Sequence, residues 1–100
     1  MRVDLPDGRK YTLGFAHVRL GEPQIYKRRS GRTTLVQAIT RCVVRDIGNG
    51  GTPVAEGVAR CSATDRFNKE RGRKIALERA LLGFERGIRA RFWETYLRRS

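Results

Sequence analysis

The sequence predicts an α+β domain: a small antiparallel β-sheet of three to four hairpin-connected strands, packed on one face by a long or once-broken C-terminal helix. Three observations predict it. Residues 33–46 and 54–61 alternate with the two-residue period of strands that bury one face. Gly, Pro, Asp and Asn gather between such runs as turn residues. From position 65 onward apolar residues recur every three or four positions, the period of one helix face, and no Pro follows Pro53. Residues 1–63 are assigned to the sheet and 64–99 to the basic helix of a single domain. At 100 residues with 39% hydrophobic content, a small core is expected, enough to bury roughly two thirds of the unfolded surface.

Pro6-Asp7-Gly8 has turn chemistry, Pro pre-setting one backbone angle and Gly taking another that side chains resist. It predicts a first hairpin whose second arm runs from about Lys10 to Leu20. Gly21-Glu22-Pro23 is expected to break that arm. Ile25 and Tyr26 then lead into Lys27-Arg28-Arg29-Ser30-Gly31-Arg32, cations around a Ser-Gly turn, which reads as an exposed basic hairpin tip.

The clearest strand spans Thr33 to Asp46. Val36, Ala38, Thr40, Cys42 and Val44 form its core-facing side. Leu35, Gln37, Ile39, Arg41, Val43 and Arg45 form the other, which must stay wet because a core would not accept unpaired arginines. Ile47 to Pro53 is a glycine-rich hairpin connection that matches neither phosphate-loop pattern, GxxxxGK[ST] or GxGxxG. In the next strand, Val54 to Cys61, Ala55, Gly57, Ala59 and Cys61 share one side. Their small size lets a rigid element approach the sheet closely. Pairing of Val44 with Ala59 would set Cys42 opposite Cys61; other registers separate the two thiols.

Ser62 and Asp65 have the spacing of a helix-capping box. Leu77, Leu81, Phe84, Ile88, Phe92 and Tyr96 then form a single apolar stripe. Ala76 and Ala80 flank it and suit a close approach to the last strand. Gly83 and Gly87 either permit close contact with the sheet or mark a kink between two shorter helices.

Charge is the strongest functional signal: 22 Lys and Arg against 10 Asp and Glu, a formal net +12. Such an excess points to polyanions or an acidic protein surface as partners. Eleven of the cations fall between positions 66 and 99, with Lys69, Arg71, Arg73 and Lys74 crowded into six residues. Cations at a helix N-terminus oppose the helix dipole. Their retention there fits a phosphate held by side chains and backbone N–H groups together. Lys27, Arg28, Arg29 and Arg32 at the hairpin tip, with Arg41 and Arg60 on the sheet, extend the candidate nucleic-acid-binding set. Most of the few aromatic residues fall at core-compatible positions, so no base-stacking platform is evident. Phe92 and Trp93 are adjacent and cannot both enter one stripe, so Trp93 and Leu97 form a second apolar patch that serves either intramolecular packing or a partner or dimer contact.

Other classes are disfavoured. Two cysteines and His17 fall short of a structural zinc set. His17 has no neighbouring Ser, Cys or acid pair and reads as a strand residue or a phosphate contact. With no metal set, no triad spacing and few clustered acids, no enzyme activity, cofactor or metal is expected. The cysteines read as reduced buried thiols of a cytoplasmic protein. No apolar run is long enough to span a membrane.

The segment Cys61 to Leu81, with the skeleton C-x-x-x-D-x-F-N-K-x-x-G-R-x-I-A-x-x-x-A-L after a Gly/Ala-rich strand, resembles small proteins of bacteriophages and related mobile elements. That resemblance covers about a quarter of the chain and implies a bacterial host cell as its setting. More loosely, strands feeding a helix that opens with Lys and Arg resemble the C-terminal half of a double-stranded-RNA-binding domain. It implies phosphate contacts from Lys69, Arg73 and Lys74, although this chain starts with a hairpin where that family has a helix. The expectation is a sequence-tolerant nucleic-acid-binding protein, monomeric or homodimeric, with double-stranded RNA or DNA as partner. The alternative is a phage-encoded modulator, such as an anti-CRISPR protein or a polymerase inhibitor, docking on a host nucleoprotein machine.

Overall fold

The computed structural model describes residues 1–62 and 68–98. Four strands, β1 (Arg2–Asp4), β2 (Lys10–Lys27), β3 (Thr33–Asp46) and β4 (Thr52–Ser62), form one antiparallel sheet in the order β1-β2-β3-β4. Two helices follow, α1 (Lys69–Ala80) and α2 (Arg86–Leu97). The α+β class is therefore as the sequence predicts, and the C-terminal helix is broken once.

Each turn follows from its residues. At Pro6-Asp7-Gly8 the Gly8 N–H donates to the Leu5 carbonyl, and Gly8 takes a φ of 91°, which costs glycine little. Gly31 does the same at the basic tip, its N–H donating to the Arg28 carbonyl at 2.9 Å. Gly21-Glu22-Pro23 does not end β2. The pairing with β3 shifts between Arg19 and Gln24 and then resumes through Lys27. A bulge absorbs the Gly and the Pro there, because an extra unpaired residue needs no ladder donor. The arm thus projects well beyond the first hairpin.

β3 presents the two faces its pattern requires: Val36, Ala38, Thr40, Cys42 and Val44 are buried, while Arg41 and Arg45 are exposed. In β4 the register sets Ala55 opposite Val44, Gly57 opposite Cys42 and Cys61 opposite Ala38. The two thiols are accordingly not cross-strand partners, and they form no disulfide with each other.

α1 crosses β3 and β4, and two glycines let it lie flush. A Cβ on Gly57 would overlap the Ala76 carbonyl and the Ala80 nitrogen, and one on Gly72 would stand 2.5 Å from the Thr40 hydroxyl. The expected cap at Asp65 lies outside the described residues. Asn68 is the N-cap of α1, its side-chain oxygen accepting from the Arg71 N–H at 3.1 Å. α1 and α2 are separated at Leu81–Glu85; Gly83 lies in this break, and a Cβ on Gly83 or Gly87 would meet open space. Those two glycines therefore do not serve close contact with the sheet.

α2 covers the β1–β2 end. Tyr11 meets Phe84 and Phe92 at 5.8 and 5.5 Å between ring centroids, and Phe15 meets Tyr96 at 5.7 Å. Leu77, Leu81, Phe92 and Tyr96 from the predicted stripe are among the largest fully buried side chains. Each is worth about 1.5–3 kcal/mol of burial. No helix among the described residues is long and apolar enough to cross a membrane.

Candidate nucleic-acid interface

Where the hairpin arm, the end of β4 and α1 meet, they enclose two adjoining cavities of about 360 and 220 Å³. Arg28, Arg60 and Arg79 line both; Arg29 lines the larger and Arg71 the smaller. Among the described residues no Asp or Glu lines either cavity, and none of these five arginines has a carboxylate partner. Five guanidinium groups without an acid concentrate positive charge and N–H donors in one cleft, since each offers several donors and none loses its charge.

The fold holds most of these side chains in place. The tight turn at Ser30-Gly31 returns the chain so that Arg28 Nε donates to Thr34 Oγ1 at 3.1 Å. The Arg60 guanidinium lies over the Tyr26 ring, 4.2 Å from its centroid, a cation–π stack. Arg79 Nη1 donates to the Val58 carbonyl of β4 at 2.6 Å, which leaves its other N–H groups available. Arg71 and Arg79 are eight residues apart on α1, so they share one face of the helix, with Ile75 between them. That spacing is the sequence signal for Arg79, which the crowding of cations at 69–74 does not point to.

The crowded cations at the start of α1 do not act as one group. At 100° per residue, Lys69 and Arg73 fall on one side of the helix, while Arg71 and Lys74 point away from them. Arg73 turns inward: its Nη2 donates to Glu70 Oε2 at 2.7 Å, and its Nη1 lies 3.5 Å from His17 Nε2. The hydrogen bond to Glu70 raises the pKa of Arg73 further above its ordinary value, with help from Tyr96. Lys74 Nζ is 3.9 Å from Glu70 Oε1, and Tyr96 donates its hydroxyl to the same oxygen at 3.2 Å. Glu70 thus gathers two of the three cations that the double-stranded-RNA-binding resemblance singled out. The third, Lys69, is exposed on the first turn.

The remaining candidates scatter. Lys27 and Arg32 are exposed at the arm's tip and line neither cavity. Arg41 points to the opposite face of the sheet, where it pairs with Glu56 at 3.0 Å. Trp93 is half-buried against the core, edge-on to Tyr96 at 5.9 Å, while Leu97 is exposed. The Trp93 ring belongs to the margin of the core because Tyr96, three residues on, offers it a buried aromatic face.

His17 lies on the packed side of β2, with Nδ1 2.9 Å from Thr40 Oγ1. A guanidinium can only donate, so Nε2 is the acceptor toward Arg73 and Nδ1 carries the proton toward Thr40. Burial, then the charges of Arg73 and Lys69, lower its pKa. Burial pushes the Cys42 thiol up to about 12, which leaves it protonated and inert near neutral pH.

No protein-family model, curated protein or solved structure matches this chain.

Proposed function

We propose that this chain binds nucleic acid, mainly through the phosphate backbone and with little dependence on sequence. The observation that carries this reading is the set of five arginines, Arg28, Arg29, Arg60, Arg71 and Arg79, around one cleft with no carboxylate partner among the described residues. Guanidinium forks match phosphate oxygens bidentately. The net charge of +12 supplies long-range attraction toward the same partner. Lys69 and the tip residues Lys27 and Arg32 extend the positive field around the cleft.

The test is a titration of labelled single-stranded and double-stranded RNA and DNA at several ionic strengths. Affinity should fall linearly on a log–log plot against salt, as counterions are released, and should vary little with base sequence. Absence of binding to all four at low salt would refute the reading.

A second reading has one observation in its favour. Ile25 and Leu35 are paired directly across the arm and are 75% and 50% exposed. An exposed apolar pair beside a basic tip also suits docking on a protein of a host nucleoprotein machine. Capture of a protein from nuclease-treated host lysate, lost in an Ile25→Ser/Leu35→Ser variant, would favour it.

A further inference from the structure

Tyr26 gives the arginine cleft a feature that a simple phosphate-binding surface does not need. The residue is 40% exposed and lines the larger cavity, and its ring already carries the Arg60 guanidinium at 4.2 Å. Val36, 3% exposed, adds an apolar wall to the same cavity, and Thr34 adds a hydroxyl. A planar group entering there meets aromatic, guanidinium and aliphatic surfaces together. At about 360 Å³ the cavity lies within the range of pockets that enclose small molecules, ~300–1,000 Å³.

From this arrangement we infer that the cleft takes an unpaired nucleotide of a single strand. Its base extends the Tyr26–Arg60 stack in the larger cavity. Its phosphate lies where the two cavities join, against Arg28, Arg60 and Arg79, and the next phosphate is directed toward Arg71. The inference rests on the nucleic-acid function proposed above and narrows its ligand. A duplex keeps its bases stacked on each other inside a convex cylinder, so it offers the cleft phosphates alone and leaves the aromatic wall unused. A single strand offers both groups, and aromatic stacking is tolerant of sequence because every base has a π-face. RNA and DNA share this chemistry.

The experiment compares fluorescence-anisotropy titrations of the full chain with a twelve-nucleotide strand and with the same strand annealed to its complement, each as RNA and as DNA. Tyr26→Ala and Tyr26→Phe are titrated beside the wild type; the position is exposed, so both variants retain the fold. At least one type of single strand should bind tighter than its duplex. Tyr26→Ala should weaken that complex by about fivefold or more, as loss of one stacked base implies, with Tyr26→Phe close to wild type and duplex binding little changed. Equal or tighter binding of both duplexes, or no effect of Tyr26→Ala on single strands, would overturn the inference while leaving the proposed function standing. Binding of nothing at low salt would refute both.

Discussion

Gly57 and Ala76 meet so closely that the strand has no room for a side chain: a Cβ on Gly57 would overlap the Ala76 carbonyl oxygen. This contact fixes the height of α1 above β4. It thereby sets Arg71 and Arg79 of the helix on the same cleft as Arg60 of the strand and Arg28 of the arm.

Gly57→Ala is therefore expected to destabilise the domain by about 2 kcal/mol or more, because backbone atoms of the helix cannot move aside as a flexible side chain would. Gly14→Ala is the comparison, since a Cβ there meets open space; its cost should stay within about 0.5 kcal/mol. Urea unfolding of both variants measures the difference.

Glu70 and Glu56 are both ion-paired but should differ in weight. Glu70 serves Arg73, Lys74 and the fully buried Tyr96, and Arg73 Nε is buried with no hydrogen-bond partner among the described residues. Glu70→Gln should cost about 1–2 kcal/mol by weakening acceptors for a half-buried guanidinium. The Glu56–Arg41 pair is about half exposed on both sides, and Glu56→Gln should cost less than about 1 kcal/mol. Equal losses in thermal unfolding would contradict this ranking.

His17 gives stability a pH dependence of defined sign. Its folded pKa lies below the ordinary 6.5, from burial and from the charges of Arg73 and Lys69. The unfolded chain therefore takes up the proton first as pH falls. The contribution is whole above about pH 6.5 and is lost as the pH drops through the folded value. His17→Gln should flatten this part of the stability–pH profile, measured by urea midpoints at half-unit steps.

Cys42 should resist a thiol reagent at pH 8 until the protein unfolds, because it is fully buried and its thiol pKa is about 12. Cys61, half-buried, should react first. Peptide mapping without reductant should find no Cys42–Cys61 bond, as the register pairs them with Gly57 and Ala38.

Much of the fold was legible because it depends on local period and turn chemistry. The two faces of β3, the Gly8 and Gly31 turns, the small-residue side of β4 and the apolar stripe from Leu77 to Tyr96 all follow from spacing alone. What spacing could not supply was long-range pairing. The register of β3 on β4, which separates the cysteines, is set by where the connection after Asp46 ends and by the shift in pairing between Val44 and Arg45. The arm's continuation past Pro23 depends on a bulge, which alternation does not reveal. The candidate site was legible in part for the same reason. Charge density pointed to the start of α1, yet the direction of each cation there depends on helix angle and on Glu70. Arg28, Arg60 and Arg79 come together only through tertiary folding.

The most direct test is a pair of equal charge reductions. One variant carries Arg28→Gln, Arg60→Gln and Arg79→Gln in the cleft; the other carries Lys10→Gln, Arg45→Gln and Arg86→Gln, exposed positions that do not line it. With folding of both confirmed by thermal melts, each is titrated with the best-bound nucleic acid across a series of salt concentrations. The cleft variant should lose most of its affinity, and its salt slope should shrink by about 2 as three phosphate contacts disappear. The control should bind nearly as the wild type does. Equal losses in the two variants, or unchanged binding in the first, would show that the convergent arginines are not the site.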